Sequence, residues 1–372
     1  MTRLIVAAGG GGDAVAAAMV DAALHGTENP ALIFTYAWDR LLVDPVPGPR
    51  GPTDFTGLRP LTATVPTVPA TARPIPPAGS TLPRLAAELP HTFAVIDPHH
   101  GAQGILCQLR ELIDHLAPES IDLLDVGGDI LAHGDEPTLR SPLGDALTLA
   151  ACAQVDAPVR LLVAGPGLDG ELPAAALRPR LGPVVLSLTP AHTERIMPVL
   201  KWHPSEATAM LAATARGARG LCRVRDAGLQ IPLTDGSPTV HQADLQAAFH
   251  HNVLAHALVT TTTLHEAEHH ARTICGTSEI DYERAKSARQ AAASPVSLSP
   301  ESVQERLTCF EAQARAHSIT HTTFRHLSEV IGMSGDQTAS LRELLHKGNP
   351  ELHDSLLWPL PRRHDKIQPP RQ

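Results

Sequence analysis

Four times in the first 171 residues, a short unbroken apolar run is cut off by glycine and aspartate, and helix-forming sequence follows. Leu4 to Ala8 runs into Gly9-Gly10-Gly11-Gly12-Asp13, and Phe93 to Ile96 into Asp97 with Gly101 and Gly104. Ile121 to Val126 runs into Gly127-Gly128-Asp129, and Val159 to Ala164 into Gly165-Pro166-Gly167-Leu168-Asp169-Gly170-Glu171. Apolar runs without alternation suit strands buried on both faces, and strands alternating with helices predict an α/β fold around a doubly wound, mostly parallel, Rossmann-like sheet. Right-handed crossovers carry the C-terminal ends of parallel strands to one edge, where ligands bind in open sheets. The loops after Ala8, Ile96, Leu124 and Ala164 are therefore expected to meet in one crevice.

The strand–helix pattern assigns residues 1–190 to the sheet domain. The prolines between 59 and 90 mark an extended insertion, since proline supplies no amide donor to a helix or inner strand. Residues 191–330 read as a mainly helical part packed on the sheet, with helices over 206–216, 242–256, 264–274 and 302–316 and a β-type stretch over 220–233. Residues 331–372 read as a last helix and a loose tail from about Pro359.

Composition narrows the function classes. Hydrophobic residues make up 43% of the 372 and charged residues 19%, which excludes wholesale disorder. A formal charge of −9, without a Lys/Arg block in the predicted elements, argues against a nucleic-acid partner. No apolar run reaches the roughly 18 residues needed to span a bilayer, so no membrane partner is expected. Five scattered cysteines without a C-x-x-C pair, and no signal-peptide pattern, point to a reducing cytoplasm. Oligomeric state is not legible.

The expected ligand is a small anion. Backbone N–H groups of Gly9, Gly10, Gly11 and Gly12, at the start of a helix whose dipole is positive there, form a phosphate or carboxylate site, with Asp13 beside it. The alternative is a tight turn in which Asp13 is only a helix-start acid. The run lacks both the full G-x-G-x-x-G fingerprint and the Lys-Ser/Thr ending of a P-loop, although a nucleotide stays open as ligand. Arg40 and Arg50, on a proline-stiffened loop, offer planar forks for the anion. Asp125, Asp129, Asp135, Glu136, Asp169 and Glu171 gather at strand ends. Of these, Asp125, Asp129, Glu136, Asp169 and Glu171 are the candidate acid/base groups, with Asp129, Glu136 and Asp169 as ligands for Mg²⁺ or Mn²⁺. His99 and His100 are lesser candidates.

His265-Glu266-Ala267-Glu268-His269 matches H-E-x-x-H, in which two histidines bind zinc and the glutamate serves as base. With 21 histidines in the chain a chance match is not rare, no third ligand stands at a recognised spacing, and a solvated helix face is the preferred reading.

Several stretches together resemble the family known as domain of unknown function 1152, found in archaea and actinobacteria. They are Gly9 to Asp13, Trp38-Asp39-Arg40 through Arg50, Asp125 to Ala132, Gly134-Asp135-Glu136, Ser141-Pro142-Leu143, Gly165 to Glu171 and Thr277 to Tyr282. The resemblance covers roughly residues 1 to 285; the proline-rich stretch and the chain beyond about 300 depart from it. It implies the same fold and site and supplies no reaction. The expectation is an enzyme acting on a small phosphorylated or carboxylate metabolite or nucleotide, with a metal ion as its companion and specialised biosynthesis as its setting. A non-catalytic ligand-binding module is the alternative.

Overall fold

The computed structural model describes residues 2–225, 228–292, 300–332 and 338–360. The tail expected to be loose lies, from 361 on, outside the described residues. The strands are β1 (Arg3–Ala7), β2 (Leu32–Thr35), β3 (Phe55–Thr56), β4 (Arg59–Pro60), β5 (Pro66–Thr67), β6 (Arg73–Pro74), β7 (Thr92–Val95), β8 (Ser120–Val126), β9 (Val159–Ala164), β10 (Val184–Ser187), β11 (Gly220–Val224), β12 (Leu229–Leu233), β13 (Thr239–Ala243), β14 (His321–Thr322) and β15 (Trp358–Pro359).

Among the described residues the largest sheet has nine strands, in the order β10-β13-β9-β8-β1-β2-β7-β5-β4. The central run β9-β8-β1-β2-β7 is parallel throughout. Counted along the chain, those five strands stand in the order 5-4-1-2-3, the doubly wound arrangement of a Rossmann-like sheet. The unbroken apolar runs follow from burial on both faces. In β1, Ile5 and Ala7 enter one core layer while Leu4 and Val6 enter the other. The first layer packs around the helix Gly12–His25, buried on every side from Asp13 to Asp21. The second contains residues of the helices Gly101–Leu116, Pro142–Cys152, Val253–Leu258 and Leu264–Cys275.

Two expectations change. The sheet does not end near residue 190: β13 lies antiparallel between β9 and β10, so the helix expected from Gln242 starts only at Leu245. A second helix, Val253–Leu258, follows a break at Asn252, whose side chain caps it. The proline-rich stretch is also more than a surface loop. β5 pairs antiparallel with β7 and extends the sheet edge, while Val65, Val68, Ala72, Leu82 and Leu85 are buried. Proline is tolerated there because Pro66 is the first residue of β5 and Pro60 lies in the edge strand β4.

The hairpin β11–β12 joins β14 and β15 in a four-stranded sheet, order β12-β11-β14-β15. It is tied to the helices Pro300–Ala316 and Phe324–Ile331, whose residues Val303, Leu307, Phe310 and Leu327 share a third core with Trp358. Among the described residues no helix is long and apolar enough to cross a membrane.

Candidate functional site

The strand order reverses direction between β1 and β8, because β2 and β7 lie on one side of β1 while β8 and β9 lie on the other. The loops leaving β1 and β8 diverge there and open a crevice at the C-terminal edge, the usual ligand position in such sheets. A cleft of about 860 Å³, counted out to its open mouth, occupies this place.

The tetraglycine loop forms its floor. Gly9 N–H donates to the Asp13 carboxylate at 2.7 Å, and Gly11 N–H donates to the Trp38 carbonyl at 3.1 Å. Two of the four loop amides are thus already engaged. Glycine is required here for close approach. A Cβ on Gly9 would lie 2.9 Å from both Asp13 Oδ2 and Asp145 Oδ2, and one on Gly12 would lie 2.3 Å from Ser205 Oγ.

Four secondary-structure elements and one loop deliver aspartates around this floor. Asp13 stands in the first turn of Gly12–His25, Asp125 near the end of β8, and Asp145 in the first turn of Pro142–Cys152. Asp169 comes from the loop after β9, and Asp129 opens a single 3₁₀ turn after Gly128. Gly127, at φ 120°, has no room for a side chain, since a Cβ would fall 2.3 Å from Asp169 Cγ. Burial pushes the Asp13 and Asp169 carboxyls up to about 7; the negative charge of Glu171 adds to it at Asp169, while Arg225 opposes it. Burial, then the like charges of neighbouring aspartates, holds Asp125, Asp129 and Asp145 well above the usual carboxylate range.

The rest of the lining has mixed charge and, apart from Arg40, comes from farther along the chain. Arg40, Arg225 and Arg325 belong to it, together with Glu206, Glu279 and Glu283. Arg225 pairs with Glu171 at 3.0 Å and Arg325 with Glu206 at 3.4 Å. The Arg40 guanidinium has no hydrogen bond or ion pair among the described residues and faces solvent. A second hollow of about 630 Å³ shares Arg40, Arg225 and Arg325 and adds Arg140, Tyr282 and Lys286. The aspartates thus gather at the glycine loop, while arginines and glutamates share the remaining lining of both hollows.

Of the residues expected from sequence, Gly9 to Asp13, Arg40, Asp125, Asp129 and Asp169 line the crevice. Glu171 stands behind it. Its carboxylate accepts the N–H groups of Arg140 and Ser141 at 2.7 and 3.0 Å, and although burial pushes its pKa up, Arg225 and these donors bring it below the ordinary value. Glu136 is not a wall residue: its carboxylate folds back on the N–H groups of His133 and Gly134, at 2.7 and 2.8 Å. Arg50 is held by Asp44 at 3.0 Å and by the Pro47 and Gly48 carbonyls at 2.8 and 2.7 Å, so it stiffens its own loop. The loop after Ile96 also misses the crevice. β7 lies two strands from β1, roughly 10 Å along the sheet, and its Asp97 pairs with His99 instead. His265, Glu266 and His269 are exposed on a distant helix face.

Sequence reasoning did not place Asp145, His203, Glu206, Arg225, Glu279, Glu283 or Arg325 in the crevice; Glu279 and Glu283 figure in it only as further ligands beside H-E-x-x-H. Asp145 had a local signal, since Ser141-Pro142 marks a helix start and places it in the first turn, and Glu279 stood in the Thr277 to Tyr282 stretch that carries the resemblance. Burial pushes His203 down to about 3, so it presents a neutral ring to the crevice.

A family model described as Protein of unknown function (DUF1152) matches residues 4–287. The chain belongs to this family. The DUF1152 match runs from β1 into the helix Glu279–Ala292, and so contains every crevice acid from Asp13 to Glu283 but not Arg325. No curated protein and no solved structure matches the chain.

Proposed function

We propose that this protein is an enzyme that binds a small phosphorylated or carboxylate metabolite, nucleotides included, in the switch-point crevice and carries out proton transfer on it. The observation that carries the reading is a set of buried carboxylate oxygens without partners. Among the described residues Asp125 Oδ2, Asp145 Oδ1 and Asp169 Oδ2 find no hydrogen-bond partner, although buried polar atoms are nearly always satisfied. Such frustration costs stability and is characteristic of groups arranged for a ligand rather than for the fold.

The roles follow from position. Arg40, without an ion pair, and Arg140 beside it suit the anionic end of the ligand at the mouth. Asp129 and Asp169, on the floor, have carboxyls that burial and neighbouring acids raise above the usual carboxylate range, and they suit general acid or base work.

A thermal-shift series with nucleotides, sugar phosphates and small carboxylates tests the reading, because a ligand that binds only the folded chain raises its melting temperature. A raised melting temperature that Arg40→Ala removes is expected. Asp129→Asn and Asp169→Asn should keep binding and lose turnover; turnover unaffected by both would refute the proton-transfer role. Absence of any anion-dependent shift would refute the site itself.

A further inference from the structure

Several buried acids elsewhere in this chain are neutralised by the chain itself. Asp21 is met by Arg3 at 3.0 Å and His91 at 3.1 Å, and Asp122 by both arms of Arg160 at 2.7 and 2.8 Å. Asp44 has Arg50 at 3.0 Å. Asp13, Asp125 and Asp145, between 1% and 8% exposed, receive no cationic side chain within ion-pair distance among the described residues. Each nonetheless offers an oxygen within 4.8 Å of the others'. The geometry points to a divalent cation site, for Mg²⁺ or Mn²⁺, formed by the carboxylates of Asp13, Asp125 and Asp145.

Three features support this beyond the gathering of charge. First, Asp125 Oδ2 and Asp145 Oδ1 are buried without a hydrogen-bond partner among the described residues, so the trio has unused acceptor capacity. Second, the ligands are set on rigid elements: two on the first turns of separate helices and one on the central strand β8. The Gly9 N–H fixes Asp13 through one oxygen, and the missing Cβ of Gly9 lets Asp145 close on the same point. Third, the donor set is all oxygen. Oxygens around a hard cation at about 2.1 Å stand roughly 3 to 4.2 Å apart, which the 4.8 Å limit accommodates, whereas zinc favours nitrogen and sulfur.

Three carboxylates leave part of an octahedral shell open toward the cleft. A cation of this kind keeps waters there and exchanges them for phosphate or carboxylate oxygens of a ligand. It would also resolve a conflict at the floor: an anion placed directly on the glycine loop faces three aspartates, and a bound cation turns that repulsion into attraction. Only this last step rests on the proposed function; the cation site stands on its own ligands.

Mn²⁺ titration of the metal-stripped full chain, followed by electron paramagnetic resonance and without any organic ligand, tests the site. A single saturable class of bound Mn²⁺, competed by Mg²⁺, is expected. Asp125→Asn and Asp145→Asn should each weaken it at least about tenfold while the chain still unfolds cooperatively, and Glu136→Gln should leave it unchanged. No saturable binding to the folded wild-type chain, or binding that survives both Asn substitutions, overturns the proposal. The outcomes separate from those above. Anions that raise the melting temperature equally with and without Mn²⁺, on a chain that binds no Mn²⁺, end the cation site and spare the anion site. Saturable Mn²⁺ without any anion effect does the reverse.

Discussion

Two acidic clusters in this chain share a residue type and have opposite fates. At the crevice, Asp125, Asp129, Asp145 and Asp169 are packed among one another and pushed upward by burial and like charge. At the corner between the helices Leu264–Cys275 and Glu279–Ala292, buried Glu268 and half-buried Asp281 meet two arginines. Arg272 bonds Glu268 at 3.0 Å and Asp281 at 2.6 Å, and Arg284 bonds them at 2.7 and 2.9 Å. There the Arg272 hydrogen bond, with help from Arg284, draws the Asp281 carboxyl well below its ordinary range. The corner contains its own counter-charge and stabilises the fold. The four crevice aspartates have no cationic side chain within ion-pair distance among the described residues, although Arg225 opposes the shift at Asp169 from farther off.

The contrast breaks most visibly with pH. Asp169 titrates at 3.8 unfolded and at about 7 folded, so between those values the native chain holds a proton that the unfolded chain has released. Its contribution to stability is complete below pH 3.8 and is lost as pH rises through about 7. Asp281 has the opposite sign: its lowered carboxyl stabilises above pH 3.8, and that support is lost on acidification. Denaturant unfolding of metal-free protein from pH 4 to 8 should therefore show Asp169→Asn gaining on wild type as pH rises, by up to about tenfold in the folding equilibrium per pH unit. A constant difference across that range would mean that the crevice charge is compensated by a group within the fold.

The corner should respond to loss of charge in the reverse way. Glu268 is 5% exposed and takes bonds from Arg272, Arg284 and Ser278, so Glu268→Ala leaves two guanidinium groups without their shared acceptor. Because the arginine side chains are 36% and 50% exposed, water screens much of the loss, and the cost is about 1–2 kcal/mol. Calorimetric melting checks this. Mn²⁺ binding should be the same in that variant, and an altered affinity would tie the corner to the crevice.

What the sequence revealed tracks how local each signal is. The parallel core was legible because burial on both faces leaves runs such as Leu4 to Ala8 without polar interruption, and chain-order rules then fix one edge for the loops. β13 was not, because Thr239 to Ala243 alternates and enters the sheet antiparallel from a region otherwise helical. Within the site, Asp125 and Asp129 could be found because they adjoin Gly127-Gly128. Glu136 stands in an equally suggestive run, yet its carboxylate turns back to its own loop, a choice of side-chain direction that composition does not encode. Arg225 and Arg325 have no neighbouring motif. They reach the crevice because β11 and the helix Phe324–Ile331 share a layer, which only the folded chain brings about.

The smallest expected effect concerns Glu266, one glutamate that two motifs claim. In H-E-x-x-H it would be the base beside two zinc-binding histidines. In Thr263-Leu264-His265-Glu266 it is the third residue of a helix whose N-cap is Thr263, and the folded chain uses it in that manner. The Thr263 hydroxyl accepts the Glu266 N–H at 3.2 Å, and the Glu266 carboxylate accepts the Thr262 N–H at 2.8 Å. This is capping chemistry, and it leaves the carboxylate engaged at the helix start rather than poised over a metal. His265 and His269 are exposed, so replacing them removes little packing. A His265→Ala/His269→Ala chain should keep the wild-type melting temperature and Mn²⁺ affinity, and wild-type protein should contain no stoichiometric zinc by elemental analysis. Zinc that is stoichiometric in wild type and lost in the double variant would move the search for chemistry from the crevice to this helix.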